Sequence, residues 1–289
     1  MIDLLDRKTP AAVTLVILAG GLGTRFGGDK QLAEFGPNGE TFFDYAIDDG
    51  LAAGIGKVVI VIRSDIEQHV RAHLNRFHPA RDVVLVRNED YGPNRSKPWG
   101  TAHALLAATP SIHGPFIVVN ADDYYGPNSY PEIVTYLSSQ AEERAGAIVG
   151  FELRTAQPSA VDVSQGIIMA DQLGSFRSVD ETWGFVEQPN GDYTSATPAG
   201  RHRPDTLVSK NMWGLPKRFL DALPDVFESF VEANQNDLER ELAIADVVED
   251  LVEQEALTMA ILRSPETCIG ATHPDDLEAV RVHIAQRSS

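Results

Sequence analysis

The sequence contains a single cysteine, Cys268, in 289 residues. One thiol cannot form an intramolecular disulfide, so a disulfide-stapled secreted scaffold is excluded and a reducing cytoplasm is expected. Cys268 is interpreted as a small buried apolar residue rather than as a nucleophile. No apolar run approaches the roughly 20 residues that cross a bilayer, and the N-terminus lacks the basic and apolar regions of a signal peptide. We therefore expect no membrane partner.

Basic residues are also scarce, with 24 Lys and Arg against 42 Asp and Glu, for a net charge of −18 at pH 7. Such a surface repels nucleic acid, so a nucleic-acid partner is not expected. It also repels nucleotides at long range, and a nucleotide site would therefore need a local cationic pocket together with Mg²⁺. A hydrophobic content of 43% predicts a sizeable core, in one large α/β domain or two lobes.

The stretch 13–32, VTLVILAGGLGTRFGGDKQL, joins an apolar, β-branched run to a glycine-rich loop that also carries Arg25 and Lys30. Glycine lets backbone N–H groups converge on an anion, which the two cations would neutralise, so the loop predicts a phosphate site. It is not a P-loop, because Gly28-Asp29-Lys30-Gln31 replaces the Gly-Lys-Ser/Thr ending. It is not a dinucleotide fingerprint, because Phe26 stands where the third glycine should be.

Strand and helix patterns alternate along the first half of the chain. After the first strand, further strands are predicted at 57–63, 82–87, 115–119 and 145–151. Helices are predicted at 42–54, 65–75, 101–109 and 130–141. This alternation predicts an α/β fold with a doubly wound, mostly parallel, Rossmann-like sheet. The loops 19–31, 88–101 and 120–126 should converge on one crevice, since ligands bind beyond the carboxyl ends of such strands.

The second half has a different pattern, which predicts a smaller, mixed α+β half. Short antiparallel strands are predicted at 166–169 and 176–179, an exposed loop at 189–205, and an amphipathic helix at 237–255. A strand at 207–215, a helix at 216–231, a strand at 257–263 and a helix at 274–286 complete the prediction. We expect residues 10–150 to form one half of a single domain and residues 151–289 the other.

Asp122 and Asp123 follow a predicted strand, directly after Asn120 and Ala121. A carboxylate at the carboxyl end of a strand, facing a phosphate loop, is well placed to bind Mg²⁺, which takes one or two carboxylates together with substrate phosphates. The sequence therefore predicts a magnesium site here, with Asp122 as the ligand. A capping or turn role is the alternative interpretation of this pair.

The glycine loop, together with the segments GPNGETFFDY, WGTAHAL, NADDYYG and NMWG, resembles the sugar-1-phosphate nucleotidyltransferases, in particular stand-alone bacterial members. The resemblance implies that the loop wraps a nucleoside triphosphate. It implies that Arg25 stabilises the β- and γ-phosphates, that Lys30 lies near the α-phosphate, and that Asp122 carries Mg²⁺, with Asp123 just outside the ligand position. The nucleotide-binding residues it implies are Leu18, Ala19, Gly20, Gly21, Gly23, Thr24, Gly100 and Thr101.

In uridylyl-transferring members of this family a glutamine lies near the position of Arg95. Because this glutamine is absent here, the resemblance does not identify the nucleotide base. Arg95 and Lys97 precede Gly100, and a polar residue there could read a base edge. His103 is interpreted as a structural histidine.

For the acceptor, the resemblance assigns contacts with the sugar hydroxyls to Gly166, Glu181 and Asn211. Glu187 is the alternative to Glu181. Lys210 would supply a cation for the sugar phosphate.

Many family members have a second metal ligand near the C-terminus. Here the common aspartate position falls on Gly270 and the asparagine variant on Thr272. Either Asp275 or a water would substitute, or Asp122 and the phosphates hold the metal.

The resemblance implies transfer of a nucleotidyl group from a nucleoside triphosphate to a sugar 1-phosphate, with Mg²⁺ as cofactor and a homo-oligomer possible. Two alternatives stay open: a non-sugar phosphorylated acceptor, and a non-catalytic regulatory protein that binds nucleotide sugars.

Overall fold

The computed structural model describes residues 12–21, 32–93, 95, 97–140, 144–156, 164–270 and 277–287. Several residues singled out by the sequence lie outside these ranges, namely Gly23, Thr24, Arg25, Lys30, Thr272 and Asp275. None of the described helices is long and apolar enough to cross a membrane.

The elements of the first half are β1 (Thr14–Leu18), α1 (Phe42–Ala52), β2 (Lys57–Ile62), α2 (Glu67–Phe77), β3 (Val83–Arg87), α3 (Thr101–Ala108), β4 (Phe116–Asn120), β5 (Asp123–Tyr124), α4 (Tyr130–Ser139) and β6 (Ala145–Glu152). Those of the second half are β7 (Gln165–Ala170), β8 (Phe176–Thr182), β9 (Val186–Glu187), β10 (Tyr193–Ala196), β11 (Ala199–His202), β12 (Leu207–Leu215), α5 (Phe219–Ala233), α6 (Ile244–Glu253), β13 (Thr258–Arg263), β14 (Ile269–Gly270) and α7 (Leu277–Arg287).

The main sheet has the strand order β13-β6-β12-β4-β1-β2-β3, with β7 and β8 attached beside β12. Strands β1, β2, β3 and β4 pair in parallel, as do β6 and β13. Strand β12 runs antiparallel to both of its neighbours, β4 and β6. The predicted doubly wound, mostly parallel α/β sheet is therefore confirmed, and a strand from the second half lies inside it.

Helices cover both faces of the sheet, as the unbroken apolar strands require. Along β1, Leu15 and Ile17 belong to the cluster that packs on α1 and α4. Val16 points to the opposite face, where α3, α5 and α6 pack. Both clusters are buried, so the core consists of two apolar layers separated by one sheet.

The ribbon formed by β7 and β8 extends the sheet beyond the carboxyl end of β4. Strand β6 occupies one edge of β12, whereas β4 and β7 share the other edge. Strand β4 pairs with Trp213–Leu215, and β7 pairs with Val208 and Ser209. Because β12 runs antiparallel to β4, these lower-numbered residues lie beyond the end of β4. The second half thereby overhangs the edge where the loops of the first half emerge.

The predicted exposed loop at 189–205 is wrong, because this stretch contains β10 and β11, which form a three-stranded antiparallel sheet with β9. Tyr193 is buried in the core. The Ser195 hydroxyl lies 2.9 Å from His202 Nε2 and donates to the carbonyl of Pro198 at 2.7 Å. The proline and glycine residues of this stretch thus lie in or next to tight turns. The contacts of Ser195 stabilise the short strands β10 and β11.

The predicted helix at 237–255 is also too long, because α6 begins only at Ile244. Leu242 instead hydrogen-bonds to the start of α3, its N–H donating to the Trp99 carbonyl at 2.8 Å and its carbonyl accepting from Ala102 N–H at 3.1 Å. Leu238 is 55% exposed. The Asp246 carboxylate accepts from Ala243 N–H at 3.0 Å and so caps the shorter helix. Tertiary hydrogen bonds therefore replace the helix that the apolar spacing suggested.

Candidate active site

The segment Leu18–Gly21 leaves β1 at the centre of the sheet and is held by the neighbouring strand β2 and the residue that follows it. Ala19 N–H donates to the Val61 carbonyl at 2.7 Å, and the Arg63 guanidinium donates to the Gly21 carbonyl. A β-carbon on Gly20 would lie 2.8 Å from Asn88 Nδ2, at the end of β3. The start of the glycine loop is therefore fixed against the ends of β2 and β3, with glycine required for this close approach.

The N-terminus of α3 is the second part of the site, and here the structure differs from the expectation. Gly100 has a φ of +110°, and a β-carbon there would collide with the backbone of Leu242. The Thr101 hydroxyl accepts from Ile244 N–H at 2.9 Å. In this structure Gly100 and Thr101 thus pack against the 242–244 segment. A contact between these two residues and a nucleotide base stays a prediction.

Arg95 and Lys97 are likewise engaged with the chain around residue 240. The Arg95 guanidinium lies over the Trp99 ring, 4.2 Å from its centre, and donates to the Arg240 carbonyl at 2.9 Å. Lys97 Nζ forms ion pairs with Glu239 and Glu241, each at 3.2 Å. These contacts give both cations a structural role, and base recognition at this position stays a prediction.

Asp122 and Asp123 follow β4 at the carboxyl edge of the sheet. Asn120 Nδ2 donates to Asp123 Oδ2 at 3.0 Å. The Tyr125 hydroxyl accepts from Asn120 N–H at 3.0 Å and donates to the Lys210 carbonyl at 2.7 Å. This buried tyrosine therefore connects the loop that carries the two carboxylates to the strand that carries Lys210.

The chemistry of these donors fits Mg²⁺, which prefers hard carboxylate oxygens and commonly shares its coordination with substrate phosphates. Within the described part of the chain, no group of three or more His, Cys, Asp or Glu side chains could enclose a metal by itself. Gly270 contributes no ligand: β14 pairs it with Asp123, and a β-carbon there would lie 2.5 Å from Asp123 Oδ1. Asp122 stays the predicted Mg²⁺ ligand, with Asp123 beside it, and the alternative ligand Asp275 lies outside the described residues.

Cys268 is buried at 3% exposure, which confirms its interpretation as a core residue. Burial raises the pKa of its thiol well above the ordinary value, and the nearby charge of Asp123 raises it further. Lys210 lowers this pKa and Asp122 raises it. These electrostatic effects show that Lys210 and both carboxylates lie near the same buried thiol.

The residues predicted for the acceptor lie together on three adjacent strands. Gly166 of β7 pairs with Glu181 of β8 on one side and with Ser209 of β12 on the other. Lys210 and Asn211 follow Ser209 at an irregularity in β12, and Asn211 adopts a left-handed φ of +57°. Gly166 leaves no room for a side chain, because a β-carbon there would collide with Val179 Cγ1.

The alternative acid, Glu187, lies on β9 in the small separate sheet rather than on this ribbon. Both Glu181 and Glu187 are exposed. The choice between the two acids therefore stays open, although only Glu181 is paired with Gly166.

Two buried side chains near Gly20 were not proposed as ligand contacts from the sequence. Asn88 and His103 are each 4% exposed, and both line a cavity of about 110 Å³ together with Arg63, Tyr91 and Trp99. The position of Asn88 carried a signal, since it directly follows a predicted strand within the loop 88–101. His103 carried none, because a histidine on an apolar helix is an ordinary core residue.

The MobA-like NTP transferase domain family matches residues 15–173, more than half of the chain. A stretch of 110 residues is 30% identical to the bifunctional protein GlmU of Caulobacter vibrioides, covering 37% of this chain and 22% of that relative. The chain thus spans less than a quarter of the length of the curated relative that it matches.

Two solved structures resemble nearly the whole chain. The inositol-1-phosphate CTP transferase from T. maritima superposes with a TM-score of 0.64 at 11% identity, covering 96% of this chain and 98% of its own. The UDP-glucose pyrophosphorylase from Acinetobacter baumanii gives a TM-score of 0.62 at 16% identity, covering 96% and 94%. At such identities the likeness establishes the fold.

The family match begins in β1, continues through the loops that follow β3 and β4, and ends after β7. It therefore includes the glycine-rich segment, Gly100, Asp122 and Gly166. The chain belongs to the MobA-like NTP transferase domain family.

Proposed function

We propose that this enzyme transfers a nucleotidyl group from a nucleoside triphosphate to a sugar 1-phosphate and releases pyrophosphate. The observation that carries the proposal is the overhang of β7 and β8 beyond the end of β4. It brings Glu181 and Lys210 to the edge from which Gly20 and Asp122 emerge. The proposed nucleotide side and the proposed acceptor side would thus share one sheet edge.

The names of the similar solved structures support an acceptor of this kind. One is described as an inositol-1-phosphate CTP transferase and the other as a UDP-glucose pyrophosphorylase. Both names describe a phosphorylated ring bearing several hydroxyl groups. Glu181 and Asn211 offer a carboxylate and an amide, which suit paired hydroxyl donors and acceptors. Residues 10–150 would bind the nucleotide, and residues 151–289 would bind the acceptor.

The reaction requires no nucleophile from the protein, since the acceptor phosphate is already an anion. One of its oxygens attacks the α-phosphorus, a new P–O bond forms, and the bond to the β-phosphate breaks to release pyrophosphate. Arg25 would stabilise the departing charge, Lys30 would lie near the α-phosphate, and Lys210 would hold the acceptor phosphate. Catalysis is then positioning and charge neutralisation.

Asp122, with Asp123 beside it, would hold Mg²⁺. When bound, the ion neutralises phosphate charge. The protein itself has a net charge of −18, so this local neutralisation is needed for a triphosphate to approach.

A pyrophosphate-release assay with Mg²⁺ tests the proposal. It should pair the common nucleoside triphosphates with a panel of sugar 1-phosphates, and with inositol 1-phosphate as a non-sugar acceptor. We expect turnover with at least one sugar 1-phosphate. Turnover only with the non-sugar acceptor would show that the acceptor is not a sugar 1-phosphate. Nucleotide binding without any turnover would favour a regulatory role.

Arg25→Ala and Lys30→Ala should each lower kcat by about 10² to 10³, by analogy with the loss of one preorganised charge donor. Lys217→Ala is the matched control. Lys217 is an exposed cation two residues after the end of β12, at the edge of the sheet opposite the site. Near-full activity of either site variant would contradict the assignment of these cations.

A further inference from the structure

The ladder between β4 and β12 stops just before the residues predicted for the site. Within the described residues, its last rung is the pair of Val118 and Trp213. An even continuation would bring Asn120 opposite Asn211. Strand β12 instead departs from regular pairing between Ser209 and Trp213, and Asn211 has a left-handed φ of +57°. The two strands therefore need another connection at the carboxyl edge of the sheet.

The Tyr125 hydroxyl supplies that connection. It accepts from the Asn120 N–H at 3.0 Å and donates to the Lys210 carbonyl at 2.7 Å. Both roles are fixed, because a backbone N–H can only donate and a carbonyl can only accept. One hydroxyl group thus takes the place of a direct backbone hydrogen bond and sets the spacing between the end of β4 and the irregular part of β12.

The core holds the Tyr125 ring in place. The residue is 2% exposed, and the centre of its ring lies 6.0 Å from that of the Phe151 ring on β6. Its carbonyl accepts from the Ser129 hydroxyl at 2.6 Å. A side chain packed in this way has one orientation, so the core determines where the hydroxyl lies.

Each partner of the hydroxyl leads to a predicted site residue. Asn120 precedes Asp122 by two positions, and its side-chain amide donates to Asp123 Oδ2 at 3.0 Å. Lys210 is itself the cation predicted for the acceptor phosphate. Loss of the hydroxyl would leave the Asn120 N–H and the Lys210 carbonyl without their shared partner, and the two segments would shift to regain hydrogen bonds.

We propose that Tyr125 is a positioning residue, whose hydroxyl sets the distance between the carboxylates that follow β4 and Lys210. The inference rests on the proposed function for the roles of Asp122 and Lys210. In-line attack needs the acceptor oxygen and the α-phosphorus at a defined separation, so this spacing affects the chemical step more than the binding of either substrate alone. The only proton of the hydroxyl is engaged by Lys210, and Tyr125 acts through its two partners.

Tyr125→Phe removes the hydroxyl and keeps the ring. We expect kcat to fall by about 10- to 100-fold, as for a displacement of roughly 1 Å, with KM for the nucleotide and for the acceptor each within about twofold of the wild-type value. Tyr130→Phe is the matched control, because Tyr130 is a buried tyrosine of the same core cluster but lies on α4 rather than between β4 and β12.

The control should keep the wild-type kcat. A wild-type kcat in Tyr125→Phe would overturn the proposal, as would an equal loss in Tyr130→Phe. A raised KM with unchanged kcat in Tyr125→Phe would also overturn it, because the hydroxyl would then serve binding rather than the spacing of the reacting groups.

Amide hydrogen exchange tests the connection without any substrate. In the wild-type protein the Asn120 amide should be protected although it lies beyond the last rung of the ladder, and Tyr125→Phe should speed its exchange. Free exchange of this amide in the wild-type protein would overturn the proposal, whether or not the variant folds.

These measurements separate the inference from the proposed function. Turnover with inositol 1-phosphate but with no sugar 1-phosphate would refute the proposed acceptor, and a loss of kcat in Tyr125→Phe would still support the positioning role. Turnover with a sugar 1-phosphate that keeps its full kcat in Tyr125→Phe would do the reverse. If no acceptor is turned over, the proposed reaction fails, and exchange of the Asn120 amide decides whether the hydroxyl holds the two strands.

Discussion

Gly270 pairs with Asp123 across the two-stranded β5–β14 ladder, and a β-carbon on residue 270 would lie 2.5 Å from Asp123 Oδ1. Asp123 cannot retreat freely, because its other carboxylate oxygen accepts from Asn120 Nδ2 at 3.0 Å. The position that the sequence resemblance aligns with a second metal ligand is thus occupied by a glycine that leaves space for the Asp123 carboxylate.

This relationship predicts the effect of restoring the common residue. Gly270→Asp should lower rather than raise activity, by at least tenfold, since the new side chain displaces Asp123 and adds a like charge beside it. Gly270→Ala should lower activity less, through the displacement alone. Both are measured as kcat against Mg²⁺ concentration, with Tm as the check on folding. Higher activity of Gly270→Asp at limiting Mg²⁺ would contradict this interpretation.

Asp122→Asn tests the metal site directly. Loss of the carboxylate charge should reduce kcat by about 10² to 10³ and raise the Mg²⁺ concentration needed for half-maximal activity. Asp180→Asn is the control, because Asp180 is exposed on β8 and pairs with Ile167 rather than with a site residue. Unchanged activity and Mg²⁺ dependence in Asp122→Asn would exclude Asp122 as the ligand.

Asn211 allows backbone geometry and recognition to be separated. Its φ of +57° suits asparagine or glycine, and a β-branched residue there is strained by about 1–3 kcal/mol. Asn211→Val should therefore lower Tm. Asn211→Gly should lower Tm less than Asn211→Val, through loss of the 3.4 Å contact from Trp213 Nε1 to the amide oxygen, and should raise KM for the acceptor. An unchanged acceptor KM in Asn211→Gly would show that the amide does not touch the acceptor.

A buried carboxylate away from the site predicts acid sensitivity. The Asp44 carboxylate is 2% exposed and lies 2.7 Å from His73 Nε2 and 2.8 Å from His78 Nε2. Burial alone would raise its pKa, but hydrogen bonds from His73, His78 and Thr41 outweigh burial and lower it from 3.8 to about 2. The difference corresponds to about 2 kcal/mol of stability.

Since the folded-state pKa of Asp44 is the lower one, this stability is present above about pH 4 and lost as the pH falls towards 2. Asp44→Asn should be destabilised by about 2–4 kcal/mol at pH 7 and should lose less further stability over that window. Urea unfolding at several pH values measures both. Asp48→Asn, at an exposed carboxylate 3.8 Å from His78 Nδ1, should change little. A wild-type-like acid transition in Asp44→Asn would disprove the contribution.

The sheet was predictable because its strands are unbroken apolar runs bounded by glycine, as in β1 and β2. Their periodicity and flanking turns depend only on local sequence. The start of α6 was not predictable, because Leu242 has the spacing of a helical residue yet hydrogen-bonds to Trp99 and Ala102, which lie about 140 positions away. No local pattern encodes that choice.

The candidate site likewise has a part that the sequence predicts and a part that only the packed structure reveals. Asp122 and Gly20 follow strands directly, so topology alone brought them to one edge. The burial of Asn88 and the contact of His103 with the Tyr91 carbonyl are tertiary features. Such properties emerge only when α3, β3 and the glycine segment are packed together.

The placement of β12 also governs how the chain can be divided. The segment matched by the family, residues 15–173, contains β4 and β6 but lacks the strand that separates them. Expressed alone, that segment would expose two apolar strand edges facing an empty position, which is a template for aggregation. The two halves are consequently interleaved within one sheet, with β12 of the second half hydrogen-bonded between β4 and β6.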